Sequence, residues 1–514
     1  MSGKQSFYIT TPIYYVNDIP HIGHAYTTLA CDVLARFKRL DGYDVMFLTG
    51  TDEHGQKIVK SAEAASKTPI ELCDEVSQRF KYLAEFMNFS NDDFIRTTEE
   101  RHKKACQALW IKLEENGHIY LDKYSGWYSV RDEAFYGEGE LIDGESGEKL
   151  APTGAPVEWV EEESYFFRLS AFEEQLLKFY EELPATVLPK SRKNEVKSFV
   201  EGGLRDLSIS RTSFKWGVPV PGNDKHIMYV WIDALTNYMT AAGYPDQNSE
   251  KFQKFWPADI HMVGKDILRF HALYWPAFLM GAGIEPAKRV FAHGWWTNEG
   301  QKISKSVGNV IDPFAIVEEF GLDQVRYFLM REVPFGNDGD FSRQSMINRI
   351  NSDLANDLGN LAQRSLSMIF KNCDGAMPAP DTYNDADKDI LTAVDNLLPK
   401  VRENIEVQAI NKALEVIWKV VSDANVYFAG QEPWALKNTD PQRMGTVLYT
   451  TAEVIRQISI LIQPIMPDSA EKLLDILKVP VDERGFEQLG TEHKLATGTA
   501  MDKPEGVFPR YVEQ

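Results

Sequence analysis

The chain has 514 residues, 43% hydrophobic and 25% charged, and 55 Lys+Arg against 76 Asp+Glu leave a formal net charge of −21. These proportions are those of globular folds and exclude disorder, collagen and a disulfide-stapled miniprotein. Cys31, Cys73, Cys106 and Cys373 lie far apart with no C-x-x-C or C-x-x-H pattern, which argues against a disulfide framework or a cysteine zinc site and fits the reducing cytoplasm.

The first residues carry no basic segment followed by an apolar run, so no secretory leader is expected. Phe7 to Thr10 predicts a short strand, and Pro12, Asn17, Asp18 and Pro20 a loop. From Ile22 the apolar positions Ile22, Tyr26, Leu29, Val33 and Phe37 recur at helical spacing, and Asp41-Gly42 ends the helix. Val45 to Leu48 makes a second strand running into Gly50-Thr-Asp-Glu-His-Gly55. Strand, helix, strand begins a doubly wound parallel α/β sheet, which binds ligands at the carboxyl ends of its strands. One helical stretch is then expected from Thr68 to Gly117.

Between 118 and 225 aromatics, glycines and prolines are dense, as in Tyr124-Ser-Gly-Trp-Tyr128 and Ala151-Pro-Thr-Gly-Ala-Pro156, and predict a compact insertion with its own β structure. The α/β rhythm then resumes with expected strands at Met228 to Ile232, Ile260 to Val263 and Arg289 to His293. The longest charge-free apolar run, Ala272 to Ile284, contains Pro276 and falls short of the roughly 20 residues that span a bilayer. From 356 to 478 helical periodicity predominates and predicts an all-α bundle, with a loop from Asn372 to Asp387. The tail after Pro480 is largely non-periodic until a β-prone run at Val507 to Val512.

Two segments are candidates for phosphate chemistry; read alone, the first could equally be two solvated or capping histidines and the second a solvated turn. His21-Ile-Gly-His24 opens the first helix, where unpaired N–H groups and the helix dipole attract anions. The two histidines share a face, and Gly23 lets a flat ring approach the backbone. H-x-x-H also suits a metal, but no third ligand is evident nearby. Lys302-Ile-Ser-Lys305-Ser follows the last strand and places two lysines, hydroxyls and flanking glycines in one basic loop suited to polyphosphate.

Pro12-Ile-Tyr-Tyr-Val-Asn-Asp-Ile-Pro-His-Ile-Gly-His24 together with Lys302-Ile-Ser-Lys-Ser306 resembles the paired signatures of class I aminoacyl-tRNA synthetases. Gly50-Thr-Asp-Glu-His-Gly55, Tyr229-Val-Trp-Ile-Asp-Ala-Leu-Thr-Asn-Tyr238, Gly264-Lys-Asp-Ile-Leu-Arg-Phe-His271 and His293-Gly-Trp-Trp296 resemble the methionyl-tRNA synthetase family. The resemblance runs from residue 6 to 480. It implies activation of L-methionine by ATP to methionyl-adenylate with release of pyrophosphate, then transfer to the terminal ribose of tRNA(Met). It also implies a Rossmann-like catalytic domain in two halves (1–117 and 226–295), a connective insertion (118–225), a lysine-loop and stem-contact region (296–355) and a helical anticodon-binding domain with tail (356–514).

By the same resemblance His21, Gly23, His24, Asp266, Trp296, Lys302 and Lys305 would bind ATP, with His21, His24, Lys302, Lys305 and Arg211 acting on its phosphates. Magnesium would accompany the nucleotide without a dedicated protein cage. Asp52 would hold the methionine ammonium, and Ile13, Tyr15, Trp231, Ala234, Leu235, Tyr238, Ile267 and His271 would wall its side chain. Aromatic walls suit a polarisable thioether, and Tyr15 or His271 would reach the sulfur by a weak hydrogen bond. Asn360 and Arg364, four apart on one helix face, would read anticodon bases by hydrogen bonds while Trp434 stacks. Lys190, Arg192, Lys193 and Lys197 form a local basic cluster for the acceptor stem or for solvent. With a net charge of −21, tRNA binding must rest on local patches and be salt-sensitive.

Two departures from the pattern matter. No cysteine lies between 107 and 372, so no structural zinc is expected and aromatic residues must form the insertion's core. Only 35 residues follow Val479, too few for the added tRNA-binding barrel that dimerises some relatives, so a monomer is expected, with neither DNA nor a membrane as partner. The competing readings are another class I synthetase, such as the cysteine enzyme, a nucleotidylyltransferase, and a non-catalytic tRNA-binding protein.

Overall fold

The early elements that frame the site are, in chain order, β1 (Ser6–Thr10), β2 (Tyr14–Tyr15), α1 (Ile22–Leu40), β3 (Asp44–Asp52), β4 (Asp93–Arg96) and α2 (Glu100–Glu115), with helices Gln56–Ala64 and Pro69–Phe86 between β3 and β4. The computed structural model describes residues 4–512 apart from 17–18, 133, 145–146 and 304–307. The single helical stretch expected from Thr68 to Gly117 is broken: helix Pro69–Phe86 and α2 flank β4. Asn88 adopts a left-handed φ of 54°, and Ser90-Asn91-Asp92 is a cluster of turn formers, so the chain leaves the helix and pairs Phe94 and Ile95 with β3.

The chain divides into two compact units, Ser6–Pro20 with Val45–His293, and Met1–Gln5 with His21–Asp44 and Gly294–Gln514. The first unit holds the seven-stranded sheet. With β5 (Val187–Leu188), β6 (Ile260–Gly264) and β7 (Val290–His293), the strand order is β5-β7-β6-β1-β3-β2, and β4 also pairs with β3. The pairs β1–β6, β5–β7, β6–β7, β2–β3 and β3–β4 are all parallel. The sheet is thus interrupted in sequence and rejoined in space. Nearly every residue of β3 and β6 is buried, as expected of parallel strands covered on both faces. Because the chain proceeds from β1 to opposite sides, the strand order reverses beside β1, and the carboxyl ends of β1, β3 and β6 converge there.

The insertion carries the expected small β structure. Strands Ile119–Ser129 and Glu158–Phe167 pair antiparallel from Ile119↔Phe167 to Tyr128↔Glu158. Aromatic pairs supply its contacts: Tyr120 stacks on Phe166 at 5.5 Å, Trp127 meets Trp159 edge-on at 5.4 Å, and Phe167 packs against Phe172 and Phe278. The run Met228–Ile232, expected as a strand, is extended only at Ile227–Met228 before α3 (Val230–Ala242) begins. Almost all of α3 is buried, so its apolar run lacks the polar face that marks a surface helix. Gly243, at φ 118°, caps it.

The second unit groups α1 with the helical bundle, whose principal members include α4 (Asn360–Asn372), α5 (Ile410–Gln431) and α6 (Pro441–Ile462). A small sheet joins Trp296–Asn298 to Gln301–Lys302 and Gly339–Phe341. Fully buried Arg326 bonds Asp32 of α1 at 2.6 Å and the carbonyls of Pro464 and Ile465 just beyond α6. The β-prone run Val507–Val512 forms no strand: Pro509 removes a ladder donor, and Tyr511 instead bonds Asn351 and Glu319.

Candidate active site

In the first unit, the convergent strand ends open onto a cavity of about 320 Å³, within the range of small-molecule sites. Pro12 and Ile13 follow β1, Tyr15 lies in β2, Asp52 ends β3, and Asp266 and Ile267 form the turn after β6. Trp231, Ala234, Leu235 and Tyr238 line it from one face of α3, and His271 from the helix after β6. All nine residues expected to hold the amino acid therefore meet at one cavity. Sequence reasoning missed Lys57, Arg131, Asp132 and Val230, which also line it. Arg131 and Asp132 sit in a turn of the insertion, and no local pattern marks such a turn as reaching the mouth of another element's pocket.

The walls are tightly organised. Trp231 stacks on Phe270 at 3.7 Å, and Tyr238 lies over His261 at 4.1 Å. His271 Nδ1 faces the Ile267 carbonyl at 3.0 Å and carries the ring proton, so Nε2 accepts from the Tyr238 hydroxyl at 2.7 Å. Burial holds His271 down to a pKa of about 4, which keeps this ring neutral near pH 7. The Tyr15 hydroxyl donates to the His54 carbonyl at 2.9 Å. The expected hydrogen bond from Tyr15 or His271 to a thioether is thus not available in this arrangement. The hydroxyl proton and both ring nitrogens are already engaged.

Arg211 is buried, not presented at a surface. Its guanidinium bonds Ser208 Oγ at 2.9 Å and lies 4.4 Å from the Tyr229 ring. Asp266 follows Gly264, where a side chain would run into the Asp266 carboxylate 2.6 Å away.

In the second unit, His21 and His24 cap α1 reciprocally. His21 Nδ1 accepts from the Gly23 N–H, and His24 Nδ1 from the His21 N–H, each at 3.1 Å. Both rings therefore carry their proton on Nε2, and they lie 3.9 Å apart. Any side chain at Gly23 would meet the His21 ring at 2.9 Å, a reason for glycine that the sequence reading did not foresee. Lys302 is exposed on its short strand, with its ammonium 5.7 Å from the Trp295 ring, whereas Lys305 lies outside the described residues. Trp296 is buried edge-on to Tyr26 at 5.4 Å.

Farther along the same unit Asn360 and Arg364 are exposed on α4, and the Arg364 guanidinium sits 5.4 Å from the half-exposed Trp434 ring. The three residues expected to read RNA bases therefore include an exposed aromatic face with a cation beside it.

Residues 7–366 match the family model described as tRNA synthetases class I (M), and residues 377–514 match the anticodon binding domain of methionyl tRNA ligase. A methionine–tRNA ligase of Mesorhizobium japonicum is 60% identical over 511 residues, with 99% of each chain covered. The solved structure of Mycobacterium tuberculosis methionyl-tRNA synthetase in complex with methionyl-adenylate is 54% identical, covers 98% of this chain and all of its own, and superposes with a TM-score of 0.96. The apo form of that enzyme gives 0.91 at 51% identity over 100% of this chain and 99% of its own.

Proposed function

This chain belongs to the methionyl-tRNA synthetase family of class I aminoacyl-tRNA synthetases, and from that premise we propose the part each site residue plays. The protein is a methionine–tRNA ligase: it joins methionine and ATP into methionyl-adenylate, releases pyrophosphate and passes the methionyl group to tRNA.

The observation that carries the assignment of residues is the cavity in which the near-buried Asp52 carboxylate stands beside a wall of Ile13, Tyr15, Trp231, Ala234, Leu235, Tyr238 and Ile267, with the charged Lys57, Arg131, Asp132 and Asp266 also lining it. Asp52 pairs with the methionine ammonium. Ile13, Tyr15, Trp231, Ala234, Leu235, Tyr238, Ile267 and His271 enclose the side chain, and the substrate carboxylate attacks the α-phosphate of ATP. The Nε2–H groups of His21 and His24 donate to phosphate oxygens as charge builds, Gly23 underlies the adenine, and Asp266 and Trp296 help seat the nucleotide. Lys302 and Lys305 neutralise the departing pyrophosphate, where positioning and charge do most of the work. Arg211, buried against Tyr229, acts near the phosphates from a fixed position. Magnesium arrives with ATP, and the insertion keeps its fold on aromatic packing without zinc. Asn360, Arg364 and Trp434 bind the anticodon. The enzyme works as a cytoplasmic monomer, with no part for DNA or membrane.

The test is ATP–pyrophosphate exchange with all twenty amino acids, with zinc chelated and magnesium in excess. Exchange confined largely to methionine is the expected result. Exchange with another amino acid would leave the nucleotide roles standing and overturn the pocket. Exchange with none would favour a tRNA-binding role alone.

A further inference from the structure

Beside the amino-acid cavity lies a buried polar cluster that the functional reading does not use. Asp233, on α3, has no solvent exposure, and its two carboxylate oxygens are taken by different imidazoles. Oδ2 is 2.6 Å from His54 Nδ1, and Oδ1 is 2.7 Å from His102 Nε2. His54 belongs to the turn after β3, and His102 to α2. A buried carboxylate is costly unless it is paired. Burial pushes the Asp233 carboxyl up, but the charges and hydrogen bonds of His54 and His102 more than offset it and hold the group well below the usual range.

Cys106 also approaches, its Sγ 3.2 Å from His102 Nε2, so three potential metal ligands are close together. The 2.7 Å between His102 Nε2 and Asp233 Oδ1 is a hydrogen-bond length, however. Nitrogen and oxygen ligands of one tetrahedral zinc, each about 2.1 Å from the ion, would stand roughly 3.4 Å apart. The cluster is built of hydrogen bonds.

What the cluster joins gives it a role. Two residues before His54 stands Asp52, and the His54 carbonyl accepts the Tyr15 hydroxyl. On α3, Asp233 adjoins Trp231, Ala234 and Leu235 of the side-chain wall. The turn is tied down on its other side through Glu53, which bonds Arg96 and Thr51 and whose carbonyl accepts from Trp216. Those contacts anchor the turn near β4, and the His54–Asp233 bond carries it across to α3.

We propose that Asp233 and His54 are positioning residues of the methionine site: their hydrogen bond holds the ammonium-binding carboxylate of Asp52 in register with the side-chain wall on α3. The inference rests on the reading that this cavity receives methionine. It predicts an effect on methionine binding that the nucleotide does not share, because the bond links two walls of the amino-acid pocket alone.

The experiment compares the full-length wild type, His54→Ala and His54→Asn in methionine-dependent ATP–pyrophosphate exchange, reading KM for methionine, KM for ATP and kcat. His54→Ala should raise KM for methionine by about tenfold or more while KM for ATP changes by less than about threefold. His54→Asn places an amide N–H where the imidazole Nδ1–H stood, and should bring KM for methionine back to within about threefold of wild type. Asp233→Asn, which keeps the side-chain shape, should show the same split and serves if His54→Ala does not fold. Equal KM values for His54→Ala and His54→Asn, or a loss shared equally by methionine, ATP and kcat, would overturn the proposal. A wild type without methionine-dependent exchange would instead overturn the reading of the cavity.

Discussion

The Tyr238 hydroxyl donates to His271 Nε2 across 2.7 Å, and it can do so because His271 Nδ1 has spent its proton on the Ile267 carbonyl. This chain of donors sets the tautomer of the imidazole and, through it, what the amino-acid pocket offers a substrate. A neutral ring and a hydroxyl whose proton is engaged make that wall selective by shape and dispersion.

The first prediction concerns the thioether. A side-chain wall in which the Tyr15, Tyr238 and His271 protons are all engaged distinguishes methionine from norleucine, its methylene analogue, by packing differences. The ratio of kcat/KM should stay below about 10⁴-fold, the level reached by sites that hydrogen-bond a distinguishing substrate group. Pyrophosphate exchange with the two amino acids measures it, and a larger ratio would require a donor that forms only on binding.

His271 makes a second prediction, on stability. Its folded pKa, about 4, lies below its unfolded value of about 6.5, so the unfolded chain binds the extra proton first. The favourable contribution is complete above pH 6.5 and is lost as pH falls toward 4, about 3 kcal/mol over that window. Denaturant unfolding of wild type and His271→Gln at pH 7 and pH 4.5 should show the variant's difference from wild type shrinking at the lower pH.

Lys302→Ala and Lys305→Ala should each slow pyrophosphate exchange at least about tenfold, since each removes a charge assigned to the transition state. Binding of tRNA, followed by filter retention, should change little. Equal losses in exchange and tRNA binding would contradict the assigned role.

Trp434 is half exposed with Arg364 beside its ring, so removing it disturbs little packing. Trp434→Ala should weaken tRNA binding by about 1–3 kcal/mol, the value of one stacked base, and leave methionine-dependent exchange at the wild-type rate. A loss of exchange would mean that the tryptophan supports the fold instead.

Asp32→Asn should destabilise the protein by about 3–5 kcal/mol, because it removes the carboxylate charge that pairs with the fully buried Arg326 guanidinium at 2.6 Å. Urea unfolding measures the difference. Breaking an exposed pair such as Lys388 with Asp385 should change stability far less, since solvent already screens it.

Much of this architecture is visible in local patterns. The spacing from Ile22 to Phe37 locates α1, His21 and His24 fall where a cap belongs, and the four-residue step from Asn360 to Arg364 puts both on one helical face. Other local signals misled for physical reasons. Met228–Ile232 is apolar on every side because α3 is buried all round, and such a run carries no period to separate helix from strand. Val507–Val512 has β-prone composition, but Pro509 removes a ladder donor and Tyr511 bonds Asn351 and Glu319 instead.

Residue types and their spacing were enough to place carboxylate, imidazole and aromatic groups at strand and helix ends, since those positions follow from backbone geometry and nearest neighbours. They were silent on what each group would meet. Arg211 and Trp296 are buried, Tyr15 and His271 have spent their protons inside the protein, and Asp233 binds imidazoles 179 and 131 residues away in sequence. Burial and hydrogen-bond partnership come from contacts between distant segments, and only the folded chain brings those segments within 3 Å of each other.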